Sequence, residues 1–306
     1  MTIIKKVSPG QIFLGLGTTV FFLLLWCVNL LPFKVKLKAG KGIGRLLYQV
    51  PNSRTKITRK NLELCFPELS AAEREKMVKE TFENFGAGLI ETAMGWWDDR
   101  EKIFLMTESK NQEILDDALA EGKGVILIGA HFSTLDLGPL LMSKYYQGYA
   151  IYREQTNHIL NWFMTRGRSR SMLGVIPHTS MRGATKCIMA GNIVWYSADQ
   201  DMGHDHSVFA PFFGQRAATL TATAKIAKLT GAPLVMLVTY RKSDDSGYVV
   251  QFLSGPENFP LEDEVDSAAA VNALIERGIR IAPTQYYWFH RRFKTQPGLD
   301  KAALYQ

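Results

Sequence analysis

The segment GAHFSTLDLG, residues 129–138, contains a histidine and a carboxylate that could perform acid–base chemistry. In an unbroken helix, the five-residue offset from His131 to Asp136 would turn the side chains about 140° apart. The pair can meet only if His131 lies in a turn before the helix and the chain bends back. Asp136 would then accept the Nδ1 proton and leave Nε2 free to deprotonate a substrate hydroxyl. The alternative is an ordinary hydrogen-bonded histidine in the core or at the surface.

The sequence around the pair predicts its place in the fold. Residues 124–130 form a continuous apolar run, typical of a strand buried on both faces of a sheet. A helical pattern begins at Thr134, so His131 is predicted at the carboxyl end of a strand, where open α/β sheets place their ligands. Ser133 is the only nearby hydroxyl of the nucleophile type, and we interpret it as a helix cap. The chain has no G-x-S-x-G elbow.

Two further groups of residues could bind a ligand. Arg166, Arg168 and Arg170 alternate near the end of a predicted helix and could bind phosphate or a carrier protein bidentately, or form a solvated helix end. The run DQDMGHDH, residues 199–206, resembles a zinc site. Its candidate ligands are Asp199, Asp201, His204, Asp205 and His206. All of them come from one loop that Gly203 makes flexible, so we predict no metal; a bound metal would instead indicate a metal-dependent membrane hydrolase.

The elements that must position these residues alternate along the chain. Strands are predicted over 124–130, 149–153, 192–197, 234–241 and 248–253, and helices over 107–121, 134–146, 156–170, 181–190, 217–230 and 267–281. This alternation predicts an α/β fold with a mixed, mostly parallel sheet flanked by helices. Upstream, Ser70 and Glu73 form a capping box before an amphipathic helix. The glycines of residues 40–44 predict a flexible linker.

The N-terminus predicts a membrane anchor. From Ile12 to Leu31 the chain runs 20 residues without a charge, enough for a helix to cross ~30 Å of hydrocarbon. We therefore predict a transmembrane or membrane-embedded helix in residues 1–33 and an α/β catalytic domain in residues 34–306. The larger basic count on the C-terminal side puts that domain in the cytoplasm. Because both flanks are basic, a helix lying in the membrane interface stays open.

Composition sets wider limits. The 306 residues are 46% hydrophobic and 21% charged, which is typical of a folded protein. The net charge of +7 favours acidic partners, and charge alone does not choose among nucleic acid, anionic lipid and an acidic protein. Cys27, Cys65 and Cys187 form neither a disulfide framework nor a C-x-x-C pair, which indicates a reducing compartment.

Longer segments resemble the late (secondary) acyltransferases of lipid A biosynthesis, the LpxL/LpxM family of the lysophospholipid-acyltransferase-like superfamily. The resemblance is nearly end to end and is most specific in VWYSADQD (194–201) and HRRF (290–293). It also includes NLELCFPELS (61–70), EGKGVILIGAHFSTLDLG (121–138), YREQTNHILNWFMTRGRSR (152–170) and APTQYYWFHRRFK (282–294). Many relatives carry Glu where this chain has Asp136; both occur in the superfamily, so the expected mechanism is unchanged.

The resemblance implies transfer of a fatty acyl chain from acyl carrier protein to a hydroxyl on a primary acyl chain of a lipid A precursor. The substrate supplies the nucleophile, so no covalent enzyme intermediate is expected. His131 and Asp136 would be catalytic. The expected substrate-binding residues are Arg153, Asn157, Arg166, Arg168, Arg170 and Asp199.

The same resemblance implies the setting of the reaction. We expect a monomer at the cytoplasmic face of the inner membrane of a Gram-negative-type cell, in contact with anionic lipids, with no nucleic acid and no cofactor. A glycerophospholipid acyltransferase is an alternative, although its usual F-P-E-G-T-R-like block is missing. A non-catalytic membrane scaffold is another, although it would leave the His131–Asp136 pair without a purpose.

Overall fold

The computed structural model of the protein describes residues 9–300 and 303–305. The α-helices in this part of the chain are α1 (Pro9–Asn29), α2 (Phe33–Gln49), α3 (Ser53–Cys65), α4 (Ala71–Trp97), α5 (Arg100–Leu105), α6 (Gln112–Ala120), α7 (Gly138–Met142), α8 (His158–Arg168), α9 (Met181–Met189), α10 (Ala222–Thr230) and α11 (Glu264–Ile281). The strands are β1 (Thr107–Lys110), β2 (Val125–Gly129), β3 (Tyr149–Tyr152), β4 (Gly174–Pro177), β5 (Ile193–Ser197), β6 (Ser207–Phe212), β7 (Gln215–Leu220), β8 (Leu234–Arg241) and β9 (Tyr248–Ser254).

Seven of these strands form one sheet in the order β1-β9-β8-β2-β5-β3-β4. Every neighbouring pair is parallel except β8 and β9, which run antiparallel. Strands β6 and β7 form a separate antiparallel hairpin. The predicted mixed, mostly parallel sheet is therefore confirmed.

The central strand β2 explains how the sheet is covered. Its side chains alternate between two apolar clusters, with Ile126 and Ile128 in one and Val125 and Leu127 in the other. All four are fully buried. Helices flank both faces of the sheet, since residues of α9, α10 and α11 belong to the first cluster and residues of α4, α6 and α7 to the second. This burial on both faces is the reason that the strand is apolar throughout.

Several predicted boundaries are wrong because long-range pairing overrides local pattern. The predicted helix over 107–121 begins with β1, which adds to the sheet edge by pairing with β9. The predicted helix over 217–230 begins inside β7, which follows a tight turn at Phe213 and Gly214, both with positive φ. The predicted helix over 134–146 is mostly turn and contains only the short α7.

The predicted linker at residues 40–44 is also wrong, because these glycines lie within α2 and pack against α4. A Cβ on Gly44 would lie 2.1 Å from the carbonyl oxygen of Phe82, and a Cβ on Gly86 would lie 2.1 Å from that of Gly40. Glycine is thus required here by the close approach of two helix backbones. Helix α4 begins at the predicted capping box, in which Ser70 and Glu73 bond each other's backbone N–H groups.

The N-terminal apolar segment forms α1 and packs against the rest of the fold. The Phe22 ring lies 5.5 Å from that of Trp96 on α4 and 4.5 Å from that of Phe163 on α8, measured between centroids. Other side chains of α1 remain exposed, Leu23 and Leu24 among them. Among the described residues, no helix combines the length and the apolar character that crossing a membrane requires.

The packing of α2 on α4 generates a stability prediction. Gly44→Ala should lower the free energy of unfolding by about 1–3 kcal/mol, because the new methyl group must displace backbone. Gly42→Ala in the same helix is the control. Its Cβ would meet nothing within 4 Å, so this change should be neutral or stabilising by about 0.5–1 kcal/mol. Urea unfolding followed by circular dichroism compares the two; equal stability of both variants would contradict the close packing.

Candidate active site

His131 and Asp199 are brought together by the register of two strands. In the pairing of β2 with β5, Gly129 lies opposite Ser197. His131 and Asp199 each lie two residues beyond the end of their strand, so parallel pairing places them side by side at the carboxyl edge of the sheet. The predicted position of His131 at the carboxyl end of a strand is confirmed.

Both oxygens of Asp199 bind His131. Oδ1 lies 2.8 Å from the imidazole Nδ1, and Oδ2 accepts the backbone N–H of His131 at 3.0 Å. The Asp199 side chain is 1% exposed and that of His131 is 23% exposed, so the carboxylate is sealed from solvent while the imidazole edge is not. This arrangement fixes the tautomer with the proton on Nδ1 and directs Nε2 outward.

The two groups shift each other's pKa in opposite directions. Burial lowers the pKa of His131, but the negative charge of Asp199 and its hydrogen bond outweigh burial, so the net pKa is raised above the ordinary value. Burial raises the pKa of Asp199, but His131 and the nearby hydroxyl of Tyr286 stabilise the carboxylate, and the net pKa falls to about 2. Asp199 therefore stays ionised at every physiological pH.

The expected contact between Asp136 and His131 is not formed. Asp136 lies in the turn before α7 and its Oδ1 accepts from Arg168 instead, at 2.9 Å from Nε and 2.7 Å from Nη2. The chain does not bend back far enough to reach Nδ1, and Asp199 already occupies that position. The acidic residue of the motif thus holds an arginine at the site, and the carboxylate on the neighbouring strand holds the histidine.

The turn that carries His131 is clamped by the segment after α11. The backbone N–H of Tyr287 donates to the carbonyl of His131 at 2.7 Å, and the N–H of Ser133 donates to the carbonyl of Gln285 at 2.7 Å. The side chain of Gln285 in turn bonds both backbone groups of Arg241 at the end of β8. Arg241 is buried and forms an ion pair with Glu91 of α4 at 2.5 Å. The histidine backbone is therefore fixed from two directions.

A cavity of about 470 Å³ opens beside the imidazole. Its polar lining includes Gln200 beside His131, together with Arg153 and Arg168. Elsewhere its lining is largely apolar and aromatic and includes Met142, Tyr146, Ile193, Trp195 and Leu237. A cavity with few polar groups and a long apolar lining suits a ligand with a reactive polar end and a hydrocarbon chain.

Of the six predicted binding residues, Asp199 binds His131 and is not among the residues that line the cavity. The other five divide into two groups. Arg153 and Arg168 line the cavity, and the Arg168 guanidinium lies over the Tyr152 ring, 5.2 Å from its centroid. Asn157 instead caps α8 and bonds Thr18 of α1. Arg166 and Arg170 are not among the residues that line the cavity.

Those two arginines have other contacts. Arg166 is exposed and lies over the Trp162 ring, whereas Arg170 donates to the backbone carbonyl of Asp98 at 2.9 Å. The alternation in TRGRSR therefore turns only its middle arginine, Arg168, toward the cavity. Within α8, residues two apart point in different directions, which separates Arg166 from Arg168, and Arg170 lies in the turn after the helix.

The residues of DQDMGHDH do not gather around a point. Asp199 binds His131, and Asp201 accepts from the backbone N–H and the hydroxyl of Thr295, each at 2.9 Å. His204 packs against the Phe209 ring. In the part of the chain that the structure describes, no group of three or more His, Cys, Asp or Glu side chains could hold a metal ion.

Sequence reasoning missed two residues of the site. Gln200 lies with its amide Nε2 3.2 Å from the imidazole Nε2 of His131. Tyr286 lies beside Asp199 and is buried, like Trp288 and Phe289, so these aromatic side chains belong to the core. In the structure residues 199–201 are buried, half-buried and buried in turn, a pattern that the letters of the sequence alone do not give.

The chain is similar to known proteins over most of its length. The family described as bacterial lipid A biosynthesis acyltransferase matches residues 11–295. The lipid A biosynthesis lauroyltransferase of Escherichia coli (strain K12) is 41% identical over 286 residues, covering 93% of this chain and 91% of the relative. The palmitoleoyltransferase of the same organism is 38% identical, with 92% of each chain covered. Its myristoyltransferase is 28% identical, with 89% of this chain and 85% of the relative covered.

The family match and these identities extend over nearly the whole chain, including the strand ends that carry His131 and Asp199. The chain therefore belongs to the bacterial lipid A biosynthesis acyltransferase family and is an O-acyltransferase.

Proposed function

We propose that this protein transfers a fatty acyl chain from the thioester of acyl carrier protein to a hydroxyl on a primary acyl chain of a lipid A precursor. The observation that carries the proposal is the imidazole Nε2 of His131, which faces a largely apolar cavity while Asp199 holds Nδ1. The relatives named for lauroyl, palmitoleoyl and myristoyl transfer support a fatty acyl donor.

In the proposed reaction His131 is a general base. Nε2 takes the proton of the acceptor hydroxyl while its oxygen attacks the thioester carbonyl carbon. The carbon–sulfur bond then breaks, and the imidazolium returns the proton to the leaving thiolate. Asp199 stays ionised throughout, since its pKa is about 2, and stabilises the positive charge on the imidazole.

The substrate, rather than an enzyme side chain, supplies the nucleophile. None of Cys27, Cys65 and Cys187 lines the cavity, and burial raises the pKa of the Cys65 thiol. Ser133 has a buried hydroxyl without a hydrogen-bond partner among the described residues, and it does not line the cavity. This distribution supports the proposed direct transfer without a covalent enzyme intermediate, in which the cavity-lining Ser171 and Ser197 have no role as nucleophiles.

Arg168 is proposed to meet negative charge on the substrates. Its guanidinium is fixed by two bonds to Asp136 and by the Tyr152 ring, so it loses little side-chain entropy when it binds an anion. Asp136, predicted as catalytic through contact with His131, is thus proposed as a positioning residue that acts through Arg168. The more exposed Arg153 would bind anionic groups at the cavity rim.

We place the protein at the inner-membrane surface, with residues 1–33 as the membrane-embedded part and residues 34–306 as the catalytic domain on the cytoplasmic face. Helix α1 packs one side on the domain and exposes apolar side chains on the other, which favours a helix lying in the interface. The outer face of α2 is also apolar, with Val35, Ile43, Leu46 and Leu47 exposed.

The basic residues after α1 contribute less to lipid binding than the sequence suggested. Lys36 is buried in an ion pair with Asp98 at 2.5 Å. Lys41 pairs with Asp245 and Arg45 with Glu83. Apolar contact by α1 and α2 is therefore proposed as the main attachment, with exposed Lys34 and Lys38 facing anionic headgroups.

The first test is transfer by purified protein. With acyl carrier protein loaded with a fatty acid and a lipid A precursor that has free chain hydroxyls, mass spectrometry should detect one added acyl group. His131→Ala should lower the rate by about 10²–10⁴-fold. The exposed His158 provides the control, since His158→Ala should keep the wild-type rate. A lysophosphatidic acid acceptor used in preference to the lipid A precursor would contradict the proposed acceptor.

The pH dependence tests the charge of Asp199. His131 is a base only when neutral, and its pKa is raised, so the acid limb of kcat/KM should lie above the ordinary histidine value of about 6.5. Asp199→Asn removes the charge that raises the pKa, so the limb should move to lower pH while the rate falls by about 10²–10⁴-fold. Asp136→Asn should move it much less. An unmoved limb in Asp199→Asn would contradict the pairing.

Membrane contact by α2 can be measured apart from contact by α1. A nitroxide at position 46, after Cys27 and Cys187 are replaced by Ser, should be more accessible to oxygen than to a nickel complex in anionic vesicles. A nitroxide at position 229 is the matched control, since Leu46 is 62% and Leu229 69% exposed on different helices. It should show the reverse preference. Water-like accessibility at both positions would rule out α2 as a membrane contact.

A further inference from the structure

Gln200 contacts His131 but has no role in the reaction proposed above. Its amide Nε2 lies 3.2 Å from Nε2 of His131, and its side chain lines the cavity. Because Asp199 accepts the Nδ1 proton, Nε2 of the neutral imidazole carries the lone pair. The Gln200 amide therefore donates its N–H to the atom that would take the proton of the acceptor hydroxyl.

The backbone on either side of Gln200 is held firmly. Asp199 is fixed by His131, and Asp201 accepts from Thr295 and from the backbone N–H of Gly203 at 2.9 Å. Both carboxylates are 1% exposed and point into the protein. The side chain between them is turned the other way, toward the cavity. The position of Gln200 is thus set by the buried side chains of its two neighbours in the sequence.

We infer that Gln200 is a further catalytic residue. In the free enzyme its amide occupies the position at Nε2 of His131 that the acceptor hydroxyl takes later, and during transfer it stabilises the oxyanion. When the hydroxyl reaches Nε2 of His131, the amide must leave that position. An N–H donor only a side-chain rotation away then meets the thioester carbonyl oxygen, where negative charge develops as the hydroxyl oxygen attacks. This inference rests on the proposed function.

The proton and electron balance of the step leaves Gln200 unchanged. The hydroxyl proton moves to Nε2, the new carbon–oxygen bond forms, and the electron pair of the broken carbon–sulfur bond leaves with the thiolate. The thiolate takes the proton back from Nε2. Gln200 only donates a hydrogen bond. A neutral amide suits this place because a cation beside Nε2 lowers the pKa of the base, as Arg168 already does for His131.

The experiment compares Gln200→Ala with Gln251→Ala in the transfer assay. Gln251 lies on β9, does not line the cavity and is bonded to the Tyr240 hydroxyl, so its variant should keep wild-type kinetics. Gln200→Ala should lose about 10²–10³-fold in kcat, the effect of removing one oxyanion donor. KM should change far less. The melting temperature should stay at the wild-type value, because Gln200 is half-buried and its side chain contributes one hydrogen bond, to His131.

A second variant tests the contact between residue 200 and His131 by charge. Gln200→Glu places a carboxylate beside Nε2, which should raise the pKa of His131 and move the acid limb of kcat/KM upward by about 1–3 pH units. The charged and titratable groups around this imidazole are Asp199, Asp136, Arg168, Tyr286 and His290, and all of them are retained. An unmoved limb would show that residue 200 does not lie beside Nε2, and the contact on which the inference rests would be wrong.

The outcomes are distinguishable from failure of the proposed function. If His131→Ala is inactive but Gln200→Ala keeps kcat within about threefold of wild type, well short of the loss of an oxyanion donor, the inference about Gln200 is wrong and the base remains. An acid limb that Gln200→Glu leaves in place would also overturn it. If His131→Ala itself retains activity, the general base is wrong and the role of Gln200 fails with it.

Discussion

The carboxylate of Asp199 is buried and ionised, and the site depends on how that charge is accommodated. An unpaired carboxylate in a protein interior carries a large desolvation cost, so partners must be in place for both of its oxygens. His131 supplies both, through its backbone N–H and its ring. The same contacts that stabilise the charge also orient the imidazole. Fixing the base and accommodating the buried charge are therefore one requirement.

Helix α4 connects the site to the rest of the fold through its contacts. Its Glu91 is fully buried and pairs with Arg241, whose backbone is bonded by Gln285, and the segment that follows Gln285 clamps the turn after β2. On its other side α4 packs against α2, and the two backbones approach so closely that only glycine fits between them. One helix thus connects the chemistry at the sheet edge with the surface that we propose for the membrane.

The sequence was sufficient where the physical cause is local. The apolar run before His131 is typical of a strand buried on both faces, and the capping box at Ser70 bonds residues three apart. It was not sufficient for the partner of His131, because Asp199 reaches that place through the β2–β5 register, which no local pattern encodes. Asp136, nearer in the sequence, was the natural but wrong candidate for the contact with Nδ1.

The prediction of a linker at the glycines of α2 was wrong for a related reason. A Gly-x-Gly-x-Gly run in isolation favours a flexible chain, yet Gly40 and Gly44 are needed where a helix meets Gly86 on another helix. Likewise, a lysine such as Lys36 would be expected in solvent from its sequence, but in the structure it is buried in an ion pair with Asp98. In both cases the information resides in the packing partner, more than forty residues away along the chain.

The central claim is that Asp199 acts through His131, and a double-mutant cycle on the transfer rate tests it most directly. Single-turnover rates would be measured for His131→Ala, Asp199→Asn and the double variant. If the two residues form one unit, the double variant should be within about threefold of His131→Ala, because the second change removes nothing further. A double variant that loses the product of the two single effects would contradict the account, since Asp199 would then act independently of the histidine.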